Sequence, residues 1–276
     1  MSQARELFQA GDLTGAIEQL TREVKASPGD TSLRTFLFEL LCLTGDWDRA
    51  EKHLDVIGHQ STEAEIGVLT FRNNIKAERD RERLFSNGLQ PHFLREPPAY
   101  VDLHVEAINR LRAEDYTAAR EILDRAEEER PAFAGKLNGE REFEDFRDYN
   151  DVTGPVLELI VQDKYAWLPY EQIRRIEITP PRQLRDLIWT SARIEATDGT
   201  IGEVYVPALY ANSSDHPDNQ VKLGRMTDWK QVGDDLYLGT GLRLFLIDGE
   251  DQAMLDLKRV EFNHQEAAAG GAAQIN

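Results

Sequence analysis

Five carboxylates crowd one short stretch of the chain: Glu142, Glu144, Asp145, Asp148 and Asp151. Acids at that density could hold a divalent cation, but a cation needs ligands that converge with satisfied geometry. Here they alternate with Phe143, Phe146 and Tyr149 and lack the spacing of an EF-hand loop, so the stretch reads as a solvated helix face. The histidines His53, His59, His92, His104, His216 and His264 form no H-E-x-x-H pair, and the single Cys42 has no zinc spacing with them. Gly239-Thr240-Gly241 lacks the lysine and helix of a phosphate-binding loop, and Ser213-Ser214 has no evident base. The most unusual group is Arg185-Asp186 with Arg225 and Asp228, flanked by Trp189 and Trp229. Buried charges must be paired, so this group reads first as a structural charge pair closing a sheet. The alternative is an enzyme site around Asp186, Arg225 and Asp228. No pattern calls for a cofactor or a metal, and no residue is assigned a catalytic role.

The elements that must position these groups are clearest in the first half. Gly11-Asp12-Leu13 is followed by Ala16 and Leu20, and Gly45-Asp46-Trp47 by Ala50 and Leu54. Glu114-Asp115-Tyr116 is followed by Ala119 and Leu123. The first two copies stand 34 residues apart, the tetratricopeptide period, and the third lies 69 residues on. Glycine suits the left-handed residue that ends one helix, and aspartate caps the next. Pro28 and Pro131 mark where the second helices stop, although the second copy has Thr62 there. Residues 63–86 read as one helix, with a degenerate repeat corner at Arg79-Asp80-Arg81.

Composition narrows the partners. The net charge of −18 opposes nucleic-acid binding, which needs a basic footprint. No apolar run reaches the ~20 residues of a membrane helix, and no secretory signal opens the chain. A cytoplasmic protein with no nucleic-acid or membrane partner is expected, with Cys42 as a small buried hydrophobe.

After about residue 146 the helical period fades. Pro155–Lys164 is expected to be helical, because Val156, Leu159 and Ile160 share a helix face. Residues 187–197 alternate as a strand, Asp198-Gly199 signals a hairpin, and 200–206 returns. Further strands are expected over 236–238, 242–247 and 255–262. The fold class is therefore α+β and multidomain. Tetratricopeptide-like helical repeats over 1–134 precede a small, mostly antiparallel sheet domain over 135–263, with a disordered tail at 264–276.

The second half also carries Phe143-Glu144-Asp145-Phe146-Arg147-Asp148, Lys164-Tyr165-Ala166-Trp167-Leu168-Pro169 and Leu184-Arg185-Asp186-Leu187-Ile188-Trp189. Gly202-Glu203-Val204-Tyr205-Val206-Pro207-Ala208-Leu209-Tyr210 and Gly224-Arg225-Met226-Thr227-Asp228-Trp229 follow. In this order, from near residue 1 to about 262, the chain resembles the ImpE family, also called SciE or TagJ. The resemblance implies a non-enzymatic accessory protein of a bacterial type VI secretion system. It implies binding to the N-terminal helix of the small contractile-sheath subunit and a link to the AAA+ ATPase that disassembles the sheath. A general repeat scaffold for another partner is a further alternative.

Stacked helical repeats leave a concave surface lined by the first helix of each pair. The repeat period puts Arg5, Phe8, Ser32, Thr35, Glu39, Cys42, His104, Ile108 and Leu111 there. That mixed surface could accept an amphipathic helix. Arg5, Phe8, Thr35, Glu39, His104, Ile108 and Leu111 are the partner-binding candidates.

Overall fold

All three repeat corners form. Gly11, Gly45 and Glu114 take the left-handed conformation, with φ of 86°, 67° and 58°. Asp12, Asp46 and Asp115 then cap the following helices, accepting the N–H of Gly15, Arg49 and Ala118 at 2.9, 3.3 and 3.3 Å. Glu114 adopts the turn of the two glycines without their conformational freedom. Ala16, Ala50 and Ala119 are fully buried, which is the close helix approach their size permits.

The computed structural model describes residues 2–59 and 62–264. Its helices are α1 (Gln3–Gln9), α2 (Leu13–Ala26), α3 (Thr31–Leu43), α4 (Trp47–Gly58) and α5 (Thr62–Asn87), then α6 (Ala99–Arg112) and α7 (Tyr116–Glu129). The corners join α1 to α2, α3 to α4 and α6 to α7. The degenerate corner expected at Arg79-Asp80-Arg81 does not form, and α5 runs straight through it. No glycine stands there, Arg79 pairs outward with Asp48 and Glu51, and Arg81 reaches inward to Glu158. Helix α5 stops at Asn87, and Gly88 follows with φ 73°.

The strands are β1 (His92–Phe93), β2 (Gly135–Leu137), β3 (Arg141–Phe143), β4 (Phe146–Asp148), β5 (Val156–Val161), β6 (Lys164–Pro169) and β7 (Ile173–Ile178). Then come β8 (Trp189–Ala196), β9 (Ile201–Pro207), β10 (Thr227–Val232), β11 (Leu236–Gly241), β12 (Leu244–Ile247), β13 (Glu250–Ala253) and β14 (Arg259–Phe262). A short helix, α8 (Asn219–Lys222), precedes β10. The main sheet has nine strands in the order β1-β6-β5-β9-β8-β7-β14-β2-β3, larger than the small sheet expected. Its neighbours are antiparallel except β1 and β6. Smaller sheets pair β10 with β11 and order β13-β12-β4. The α+β reading holds: helical repeats, then an antiparallel-rich sheet.

Two further expectations are corrected. The segment Pro155–Lys164 is no helix; β5 and the start of β6 occupy it, joined at Gln162, whose φ is 54°. Val156 to Ile160 are all buried, Glu158 among them on Arg81 and Arg243, so both faces of β5 are covered and the segment shows no alternation that separates strand from helix. The acidic stretch is β3 and β4 instead of a helix face. Within it Asp148 is fully buried and held by Arg243. The tail expected at 264–276 lies outside the described residues, His264 excepted.

One hydrophobic core runs through helices and sheet. At the seam Trp189, 1% exposed, lies against Phe38, Trp47 and Phe71, with ring centroids 6.1 to 6.4 Å away. Deeper in, Arg81 from α5 grips Glu158 of β5 with two nitrogens at 2.8 and 3.1 Å. Arg243, fully buried, bonds both Glu158 and Asp148. Burial alone would raise the Glu158 carboxyl, but Arg81 and Arg243 together hold it well below its ordinary value. Asp148 has one guanidinium, and burial pushes its carboxyl up. Buried charges persist only when paired in this way.

Candidate partner-binding groove

The sheet half is packed into the concave side of the helical array. Cys42 on α3 is buried beside Ile188 and Leu209, and burial pushes its thiol up. On α6, His104 and Ile108 are buried, and Leu111 packs on the core. The ring of His104 meets the Val152 carbonyl at 3.2 Å, on the turn that leads into β5. Burial pushes the His104 pKa down to about 4. Part of the surface that repeat geometry opens is therefore occupied by the chain's own second half. His104, Ile108 and Leu111 do not join the other candidates.

Arg5, Phe8, Ser32, Thr35 and Glu39 are brought together. They line an open cavity of about 540 Å³ between α1 and α3, closed on its far side by residues 182–185. Phe8 and Phe36 meet edge to face at 5.6 Å and are half-buried, an apolar floor. The Arg5 guanidinium sits 5.2 Å over Phe36, a cation–π contact that stiffens the rim. Gln9, Thr31, Ser32, Thr35 and Gln183 form the polar border. At one end Arg185 donates to Glu39 at 2.7 Å while stacking 5.0 Å over Phe71. Burial pushes the Glu39 carboxyl up from its ordinary value, and Arg185 pulls against that shift.

Sequence reasoning missed this far wall and Phe36. Phe36 follows Thr35, next to the face that was read. The 182–185 segment carried a legible signal, since Gln183 and Asp186 stand at capping-box spacing. In the structure they do bond reciprocally, with Asp186 accepting the N–H of Arg182 and Gln183 at 2.8 and 2.9 Å.

The group read as an enzyme alternative is divided among separate contacts. Asp186 holds that turn. Arg225 donates to the Phe8 and Gln9 carbonyls at 3.1 and 3.4 Å, which caps the C-terminal end of α1 beneath the groove. Asp228 bonds the Trp229 N–H and His216, and these contacts hold its carboxyl below its ordinary value. Among the described residues no ion pair joins the three to one another. No group of three or more His, Cys, Asp or Glu side chains there is placed to hold a metal. No helix there is long and apolar enough to cross a membrane.

Comparison with known proteins places this architecture. A model described as ImpE protein matches residues 140–261, and a tetratricopeptide repeat model matches residues 7–66. The type VI secretion system accessory component TagJ of Pseudomonas aeruginosa is 35% identical over 265 residues, covering 96% of this chain and 92% of that protein. The chain belongs to the ImpE/TagJ family of type VI secretion accessory proteins. A crystal structure of a Vibrio parahaemolyticus protein has the same fold, with a TM-score of 0.88, 28% identity, and coverage of 96% of this chain and 99% of that one. The ImpE match lies in the sheet half and includes residues 182–185, so the groove is built from both parts of this family's architecture.

Proposed function

We propose that this protein is a non-enzymatic adaptor of a type VI secretion system. It binds the N-terminal helix of the small contractile-sheath subunit in the groove between α1 and α3, and it works beside the AAA+ ATPase that disassembles contracted sheath, in the cytoplasm. The observation that carries the reading is the open stretch of concave surface at Arg5, Phe8, Thr35 and Glu39, left where the sheet half covers its neighbours. An apolar floor inside a polar rim is the anatomy of a protein interface, and helix-in-groove docking reads an amphipathic stripe in this way. The family membership supplies the secretion context.

Calorimetric titration of the full chain with a peptide of that helix tests the reading. Binding at micromolar or tighter affinity, ~−8 kcal/mol, is expected. A folded chain that releases no heat and shows no binding by fluorescence anisotropy contradicts it.

A further inference from the structure

We infer that the 182–184 segment of the sheet half is the specificity-determining wall of the groove, and that it touches the partner helix directly. The inference rests on the reading of this groove as the partner site and adds to it a role for the second half of the chain. Three observations carry it. Leu184 is half-buried at the cavity, across from the floor of Phe8 and Phe36, so an amphipathic helix seated there meets apolar carbon from both sides. The wall is also pre-organised. Gln183 and Asp186 close a reciprocal capping box, and Arg185 is pinned by Glu39 on α3 and by the face of Phe71. A surface already held in its bound shape loses little entropy on binding, which is how rigid walls gain affinity. Finally, Arg182 is exposed at the rim and makes no ion pair among the described residues, leaving its guanidinium donors open to a partner oxygen.

Charge complementarity names the occupant. Glu39 is neutralised by Arg185, so the rim presents Arg5 and Arg182 on opposite walls of a chain of net charge −18. The helix that fits carries an apolar stripe for Phe8, Phe36 and Leu184. At its edge it offers oxygen acceptors, a carboxylate side chain, to the two guanidiniums. Leu184 and Arg182 are contact residues, and Arg185 is a positioning residue.

The test titrates a peptide of the N-terminal helix of the small sheath subunit against the full chain and its Leu184→Asp, Leu184→Ala, Arg182→Glu and Phe8→Ala variants. Circular dichroism and thermal melts confirm that each is folded. Leu184→Asp is expected to weaken binding at least tenfold and Leu184→Ala severalfold. Arg182→Glu is expected to weaken it severalfold and to flatten its salt dependence. Arg185→Ala, titrated in the same way, is expected to weaken binding severalfold, and Arg185→Lys to recover part of the affinity. If Phe8→Ala weakens binding while the Leu184 and Arg182 variants bind like the parent, the wall has no role and the inference falls, although the groove stands. If the parent chain fails to bind the peptide, both the proposed function and this inference are overturned.

Discussion

Trp189 donates its indole N–H to Glu78 at 3.0 Å, tying β8 of the sheet to helix α5 across the seam. The same ring lies against Phe38, Trp47 and Phe71, so a side chain of the second half packs into the helical array. Repeat helices cannot bury their inner face alone, and here the partner for that face is supplied within the chain. What stays open is the groove beside it.

Removing that ring should destabilise both halves together. Trp189→Ala leaves a large cavity and takes one hydrogen bond from Glu78, which keeps only Arg81 at 3.3 Å, a loss of about 3–5 kcal/mol. Urea unfolding followed by far-ultraviolet dichroism and by tryptophan fluorescence should show one shared transition at lower denaturant. Separate helical and sheet transitions in the parent chain would show that the seam does not couple them.

The buried ionic group makes a second demand. Arg243→Met strips Asp148 of its guanidinium and leaves Glu158 with Arg81 alone. Breaking a buried pair from one side costs about 3–5 kcal/mol, because Asp148 stays desolvated without a counter-charge. A chemical-denaturation midpoint close to that of the parent would contradict the pairing.

Equivalent corners should respond with opposite signs. Gly45→Ala forces a side chain onto φ 67° and within 3.0 Å of Ser214 Oγ, at a cost of about 1–2 kcal/mol. Glu114→Gly relieves a left-handed residue at φ 58° and should stabilise the fold by about 0.5–1 kcal/mol, less than the strain because glycine loses more entropy on folding. Paired urea melts check both.

His104 sets a pH dependence. Its ordinary value is 6.5 and its folded value is about 4, so the folded state prefers the neutral ring. Between these values the unfolded chain binds more protons, and stability rises with pH. The contribution is complete above pH 6.5 and is lost progressively as pH falls toward 4, on the order of 3 kcal/mol over the window. His104→Phe should flatten the stability profile there; an unchanged slope would show that another group is responsible.

The corners were legible because each residue acts locally: glycine for the left-handed turn, aspartate for the cap, alanine for the close approach. The β8–β9 hairpin was legible for the same reason, in alternation and Asp198-Gly199. Strand β5 was not, since it is covered on both faces, with the charged Glu158 buried among apolar neighbours, and shows no alternation. The groove was half legible. Arg5, Phe8, Thr35 and Glu39 follow from the repeat, whereas the burial of His104 and Ile108 depends on where a second half some fifty residues away comes to rest. Asp148 read as solvated because its partner, Arg243, lies on a distant loop. Long-range docking leaves no pattern in a single stretch of chain.

In the proposed function the partner helix lies in the groove between α1 and α3. The most direct measurement is photo-crosslinking from a benzoyl-phenylalanine at position 35, in the full chain mixed with intact small sheath subunit. The reading predicts a crosslink that maps to the N-terminal helix of the subunit and disappears when excess unlabelled helix peptide is added. Crosslinking that fails at position 35 but succeeds from Tyr237 on the exposed β11 surface would place the partner elsewhere and contradict it.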